Sequence, residues 1–294
     1  MFVNAIEVTS QFTRPIHTIY RSYHSQQVLP GSASLFFVNN QACAVTCKHV
    51  VELIINADKI NQNYQNFKKE TAHISRNGDF WQKLAPIEAH FQYQQGVMMQ
   101  VKNTFMNCVD RYSSFEISVH PNHDLALVRF GGYGEIKYQN HAVFLKNTDE
   151  AKQGKFLCRL GYPFPEFNNF RYNANSDDIE WTSEGNFLTP TFPLEGMITR
   201  HLADATGLWG IEMSTPGLRG QSGGPLFDKD GVVYGMQSST KHLHLGFDIE
   251  NLPVMLNGVS TGVSNHPFLH VGQCVNAQVI KAFLKEKNVD FEER

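Results

Sequence analysis

Short runs of β-forming residues, each fenced by Gly, Asn, Pro or Ser, recur along this chain and restrict what it can fold into. SASLFFV (32–38) and QACAVTC (41–47) are separated by the turn-like Asn39-Asn40. GVMMQVK, FEISV and DLALVRF follow, and KFLCRLGYP, LEGMITRH, LWGIEMS, GPLF, GVVYGMQSS and FLHVGQCV fill the second half. Many short strands with turn punctuation read as an all-β sandwich or barrel, not as βαβ units. Two segments look helical. One is HVVELIIN (49–56). The other is the C-terminal NAQVIKAFLKEK, where Asn276 can cap and Val279, Ile280, Phe283 and Leu284 share a face, leaving Lys281, Lys285 and Glu286 for solvent. Residues 56–94 and 240–266 lack clear periodicity and read as long loops. The polar stretch near 145–155 marks a boundary.

The 294 residues allow one large domain or two medium ones. A hydrophobic content of 41% excludes a disordered chain, and a net charge of -3 gives no basic field for nucleic acid or an anionic membrane. No apolar run is long enough for a spanning helix, and the N-terminus lacks a signal-peptide pattern. The five cysteines, Cys43, Cys47, Cys108, Cys158 and Cys274, are odd in number and scattered, which argues for a reducing compartment, most simply the cytoplasm.

Three strings carry chemistry. TCKHVV places His49 at the end of a strand, NHDLALVRF opens an apolar strand with Asp124, and GLRGQSGGPLF sets Ser222 in a glycine-dense turn. Acyl transfer near neutral pH needs an activated hydroxyl, an imidazole that takes and returns its proton, and a carboxylate that fixes the imidazole tautomer. Ser222, His49 and Asp124 supply each part once. The tetrahedral oxyanion needs converging backbone N–H groups, which Gly220 and Ser222 would provide, with Gly223 and Gly224 allowing the tight turn. Cys47 reads as a small buried strand residue and Trp209 as core packing. His120 and His123 read as a solvated loop, and His242 and His244 as surface residues. No metal or cofactor is expected.

These strings resemble those of the trypsin-like, chymotrypsin-fold serine peptidases: Thr-x-x-His, Asp-hydrophobic-Ala-Leu and Gly-x-Ser-Gly-Gly-Pro, in the order His, Asp, Ser. The resemblance covers residues 30–50, 120–130 and 155–285. It is nearest to the bacterial high-temperature-requirement branch, on IEMSTPGLRGQSGG (211–224) and the closing FLHVGQCVNAQVIKAFL. The PDZ domain usual there does not fit after Asn288. The resemblance implies two antiparallel six-stranded Greek-key β-barrels with a C-terminal α-helix. Residues 1–150 would carry His49 and Asp124, and residues 151–294 would carry Ser222, the oxyanion hole and the specificity (S1) pocket. Gln221 stands where digestive members have the Asp that pairs with a new N-terminus. The interval between His49 and Asp124 exceeds that of a minimal barrel, and the surplus, 56–94, is expected near the substrate cleft.

By the same resemblance Pro216 and Gly217 lie at the S1 floor, Gln237, Ser238 and Ser239 form one wall, and His270 stands on another. Ser238 also falls near Asp124. No acid sits at the floor, so a basic residue on the acyl side of the scissile bond (P1) is not supported. Two specificities stay open: a small-to-medium apolar side chain, or an acidic one met by His270 with His242 or His244. The expected activity is that of a serine endopeptidase on a protein or peptide substrate. Two other readings share the fold: a catalytically silent peptide-binding module, and an effector switched on by a regulatory protein partner.

Overall fold

The computed structural model describes residues 1–76, 78–205 and 207–294. The molecule is mostly β, built on two sheets. The first contains β1 (Thr13–Ser22), β2 (Val28–Phe37), β3 (Cys43–Thr46), β4 (Met98–Phe105), β5 (Ser114–Val119) and β6 (Ala126–Gly131). Its order is β4-β1-β2-β3-β6-β5, all antiparallel. β1 escapes the strand pattern because Pro15 interrupts it. Pro15 lies one residue before the β4 ladder begins at Ile16, so its missing N–H takes no donor from that ladder.

The second sheet contains β7 (Phe156–Gly161), β8 (Phe192–Asp204), β9 (Gly207–Met213), β10 (Pro225–Phe227), β11 (Val233–His244) and β12 (Phe268–Asn276). β10 pairs with both β7 and β11, which joins these six strands into a ring. Two short strands, Val143–Phe144 and Glu292–Glu293, extend the sheet beyond β11. The expectation of two closed six-stranded barrels is therefore corrected for the first half. Its edge strands β4 and β5 are not paired with each other among the described residues, and that sheet stays open.

All-β also proves too narrow. Helix α1 (Val3–Ser10) lays Phe2 and Ala5 against Leu160 and Phe227. Helix α2 (Lys48–Ile55) begins where His49 leaves β3, as its sequence suggests. The segment 56–94, read as a loop, forms α3 (Ala57–Thr71) and α4 (Phe80–Phe91). These bury Tyr64, Phe67 and Leu84 against Tyr23 and Tyr93 in a satellite core. α3 is polar along most of its length and needs only that narrow aromatic stripe to dock, so the helical period stays faint in the sequence. Buried Arg21 anchors it further, donating to Gln100 and Asp177 while Tyr64 donates to Asp177.

The second long segment, 240–266, is likewise ordered. β11 runs on to His244, and Ile249–Leu256 pairs with Val259–Asn265 as a projecting hairpin. α5 (Ala277–Glu286) starts at Asn276, whose side chain accepts from Val279 N–H at 2.9 Å. Ile280, Phe283 and Leu284 pack into the same core as Phe36, Val45 and Leu127 of the first sheet. Lys281 is not on a solvated face. It is buried, and its ammonium donates to the Leu145 and Lys146 carbonyls and to Glu293.

Candidate active site

β3 ends at Thr46, and the chain passes through an extended Cys47 into α2, which sets His49 in the first turn of that helix. Asp124 precedes β6, which pairs with β3, so sheet register brings the two side chains together. His49 Nδ1–H donates to Asp124, 2.9 Å from Oδ2 and 3.0 Å from Oδ1, and the His49 backbone N–H donates to Oδ1 at 3.0 Å. Ser238, on β11, donates its hydroxyl to Oδ2 at 2.6 Å. Burial raises the Asp124 carboxyl, but the hydrogen bonds from His49 and Ser238 outweigh it and hold the pKa near 2. The hydrogen bond to Asp124 raises the imidazole pKa above 6.5 against a smaller opposing effect of burial. The carboxylate is not deeply buried, its side chain being 29% exposed.

Ser222 stands in the turn before β10. Gly220 (φ +91°) and Gly223 (φ +85°) take the left-handed backbone that makes this turn, and a Cβ at Gly223 would lie 2.0 Å from the Ser34 carbonyl. Both halves of the molecule clamp the turn. Ser34 donates its N–H to the Ser222 carbonyl and its hydroxyl to the Gly220 carbonyl. From the second sheet, Gly223 N–H donates to Gln237 O and Gln237 N–H to Gly224 O. Gln221 is fully buried and uses both ends of its amide. Its Oε1 accepts from Leu218 N–H, and its Nε2 donates to Phe192 O. A neutral amide thus ties this loop where digestive members use an ion pair. Among the described residues neither the Gly220 nor the Ser222 N–H is given to an acceptor, and both residues line the cleft that also holds His49.

The Ser222 hydroxyl donates to the Ser238 carbonyl at 3.2 Å, not to His49. Three side chains expected to form one chain of hydrogen bonds are thus gathered with the last link turned aside. Pro216, Gly217, Gln237, Ser238, Ser239 and His270 line one pocket next to Ser222. That pocket also takes in Arg219, Thr240 and His242. Sequence reasoning passed over Arg159, which is wholly buried and donates to Gln237 Oε1 at 2.7 Å. Its only signal was a charged residue inside an apolar strand.

Two placements, those of segment 56–94 and of Trp209, differ from the sequence reading. No described residue of 56–94 lines the cleft, which α2 and β4 border through Leu53 and Met98. Trp209 is half-buried and stacks on His123, with ring centroids 6.0 Å apart. His120 and His123 stack on each other in the loop before β6, and His244 is exposed. The five cysteines are buried free thiols. Cys47 Sγ lies close to His49 and Asp124, but it donates to the Gln237 carbonyl and burial pushes its thiol well up, so it offers no thiolate ligand. His244, Asp248 and His266, all exposed, sit close enough for a divalent cation.

A sheet-to-sheet cleft with this His, Asp and Ser arrangement defines the class as trypsin-like serine peptidase. The trypsin-like peptidase domain matches residues 31–236, and the chain belongs to that family. Comparison with curated proteins gives no match by sequence. Among solved structures, the HtrA-type protease AlgW with a decapeptide aligns over 97% of this chain and 67% of its own, at 13% identity and a TM-score of 0.51, and so shares the fold. A tripeptide-bound AlgW variant aligns at 12% identity and a TM-score of 0.46, over 97% of this chain and 63% of its own length. The Rv3671c protease from M. tuberculosis, active form, aligns at 13% identity and a TM-score of 0.48, over 98% of this chain and 86% of its own.

Proposed function

We propose that this chain is a serine endopeptidase with Ser222 as nucleophile, His49 as general base and acid, and Asp124 as the orienting carboxylate. Residues 1–150 contribute His49 and Asp124, and residues 151–294 contribute Ser222 and the specificity pocket. The observation that carries this reading is the doubly anchored Asp124, held by Ser238 and bonded to His49 Nδ1. That bond leaves Nε2 as the imidazole acceptor. Rotation of the Ser222 side chain away from the Ser238 carbonyl hands its proton to Nε2 as the oxygen attacks the scissile carbonyl. The oxyanion is met by the N–H groups of Gly220 and Ser222. Collapse expels the amine, which takes the proton from His49. Water then repeats the sequence on the acyl-enzyme.

An extended peptide in the cleft is the natural substrate, in keeping with the decapeptide held by the HtrA-type protease AlgW, which shares this fold. The five free buried thiols support a reducing setting, the cytoplasm. The alternative is a peptide-binding effector that is silent until a protein partner acts on it. The hydroxyl turned toward Ser238 favours that reading, and the preformed Gln221 loop opposes it. A fluorophosphonate probe, with peptide turnover measured in parallel, decides between them. Labelling of the folded wild type and its loss in Ser222→Ala support the enzyme. A folded wild type that neither labels nor cleaves favours the effector. Turnover retained by Ser222→Ala overturns the assignment.

A further inference from the structure

The pocket beside Ser222 is lined by Arg219, His242 and His270 and by no carboxylate, although the chain as a whole is acidic. Arg219 is exposed and makes no ion pair or hydrogen bond among the described residues. His242 and His270 face each other across β11 and β12, their Nδ1 atoms within hydrogen-bond distance. Beneath this rim sits Arg159, with no accessible surface.

The partners of Arg159 are all neutral: Gln237 Oε1 at 2.7 Å, the Thr215 carbonyl at 3.1 Å and the Thr215 hydroxyl, while Nε has none. An arginine cannot shed its proton, so the charge stays. A buried cation with no counter-ion is costly, and an anion brought near it in low dielectric is strongly favoured. Gln237 carries the polarity toward the pocket. Its oxygen accepts from Arg159, and its Nε2 donates to the Ser239 carbonyl at 2.8 Å and to the Gln273 carbonyl at 3.4 Å, packed so closely beside Gly217 that a Cβ there would come within 2.3 Å. Gly272 is equally constrained, since a Cβ there would lie 2.2 Å from Arg159 Nη1. The two glycines leave room for the amide and the guanidinium, which keeps the Arg159 charge directly behind the pocket wall.

We propose that this pocket selects an acidic P1 side chain, Asp or Glu. Arg219, His242 and His270 meet the carboxylate at the rim, and Arg159 acts from below as a positioning residue through Gln237. This rests on the hydrolase reading above and narrows the two specificities left open by the sequence to one. An apolar side chain would leave the unpaired cations as they are, and a basic one would be repelled.

Peptides identical except for Glu, Gln, Val or Lys at P1 test it. Cleavage is followed in the wild type, and binding to the Ser222→Ala protein is followed by fluorescence anisotropy. Glu should exceed Gln by about tenfold or more in kcat/KM and in affinity. That ratio should shrink in Arg219→Gln and with added salt. Arg159→Lys should retain more of the ratio than Arg159→Met, which separates charge from packing. Equal handling of Glu and Gln, or a preference for Val, overturns the proposal even if Ser222 is fully active. The binding measurement needs no turnover. A Glu preference in binding with no labelling of Ser222 would remove the hydrolase reading and leave the pocket standing.

Discussion

Ser238 donates its hydroxyl to Asp124 at 2.6 Å while its carbonyl receives the Ser222 hydroxyl at 3.2 Å, so one β11 residue touches both ends of the proposed catalytic set. Because β11 belongs to the second sheet and Asp124 directly precedes β6 of the first, this contact joins the two halves at the proposed reaction centre. Ser238→Ala removes one of the two anchors of the carboxylate. We expect a fall in kcat on the order of tenfold, a loss of about 1 kcal/mol of orienting hydrogen bond, with KM little changed. Steady-state kinetics on one peptide substrate measure it.

Asp124→Asn keeps the shape of the site but changes what His49 Nδ1 bonds to. An amide can donate to Nδ1 and so stabilise the wrong tautomer. The rate should drop by about four orders of magnitude while the far-UV spectrum and melting temperature stay close to wild type. A drop of less than tenfold would argue against Asp124 as the orienting group.

The pH dependence follows from the same bond. His49 acts as a base only when neutral, and its pKa is raised above 6.5. The acid limb of kcat/KM should therefore have its midpoint above 6.5 and move down when Asp124 is neutralised. Stability runs the other way for His49. Its contribution is complete below the unfolded value of 6.5 and is lost as pH rises through the raised folded value. The contribution of Asp124 is present above 3.8 and lost as pH falls through about 2. A rate profile with its acid midpoint at or below 6.5 contradicts the proton role given to His49.

Gly223→Ala should fail structurally before it fails chemically. The new Cβ meets the Ser34 carbonyl at 2.0 Å on a backbone with φ +85°, and Ser34 belongs to the other sheet. The left-handed backbone alone costs about 1–2 kcal/mol, and the contact forces the turn or β2 to shift. A clear drop in melting temperature, with loss of fluorophosphonate labelling, is the expected result.

Lys281→Ala leaves the Leu145 and Lys146 carbonyls and the Glu293 carboxylate without their shared donor. A destabilisation of about 2 kcal/mol is expected in urea unfolding, with activity per folded molecule unchanged. Lys281→Met, which keeps the aliphatic stem, should recover part of the packing and none of the hydrogen bonding.

The site and the frame were legible to different degrees. The strand runs 32–38, 41–47 and 124–130 fall within or beside β2, β3 and β6, because short apolar runs fenced by turn residues match strands buried on both faces. The capped helix at Asn276 was legible from a local hydrogen bond and four clustered apolar residues. α3 and α4 were not, since their stability comes from Tyr64, Phe67 and Leu84 finding Tyr23 and Tyr93 far away in sequence. Nor were the burial of Lys281 and the open edge of the first sheet, both set by what packs alongside.

By itself the sequence determined which chemical groups this protein brings to its cleft: an imidazole, a carboxylate, a hydroxyl and glycines free to turn. Those follow from residue type and local backbone preference, which neighbours in the chain already specify. Tertiary structure alone decided that Ser238 would hold Asp124, that the Ser222 hydroxyl would turn aside from His49, and that the charge of Arg159 would lie beneath the pocket. Each depends on two sheets meeting at one register, and such long-range distances and dielectric surroundings exist only once the chain has closed on itself.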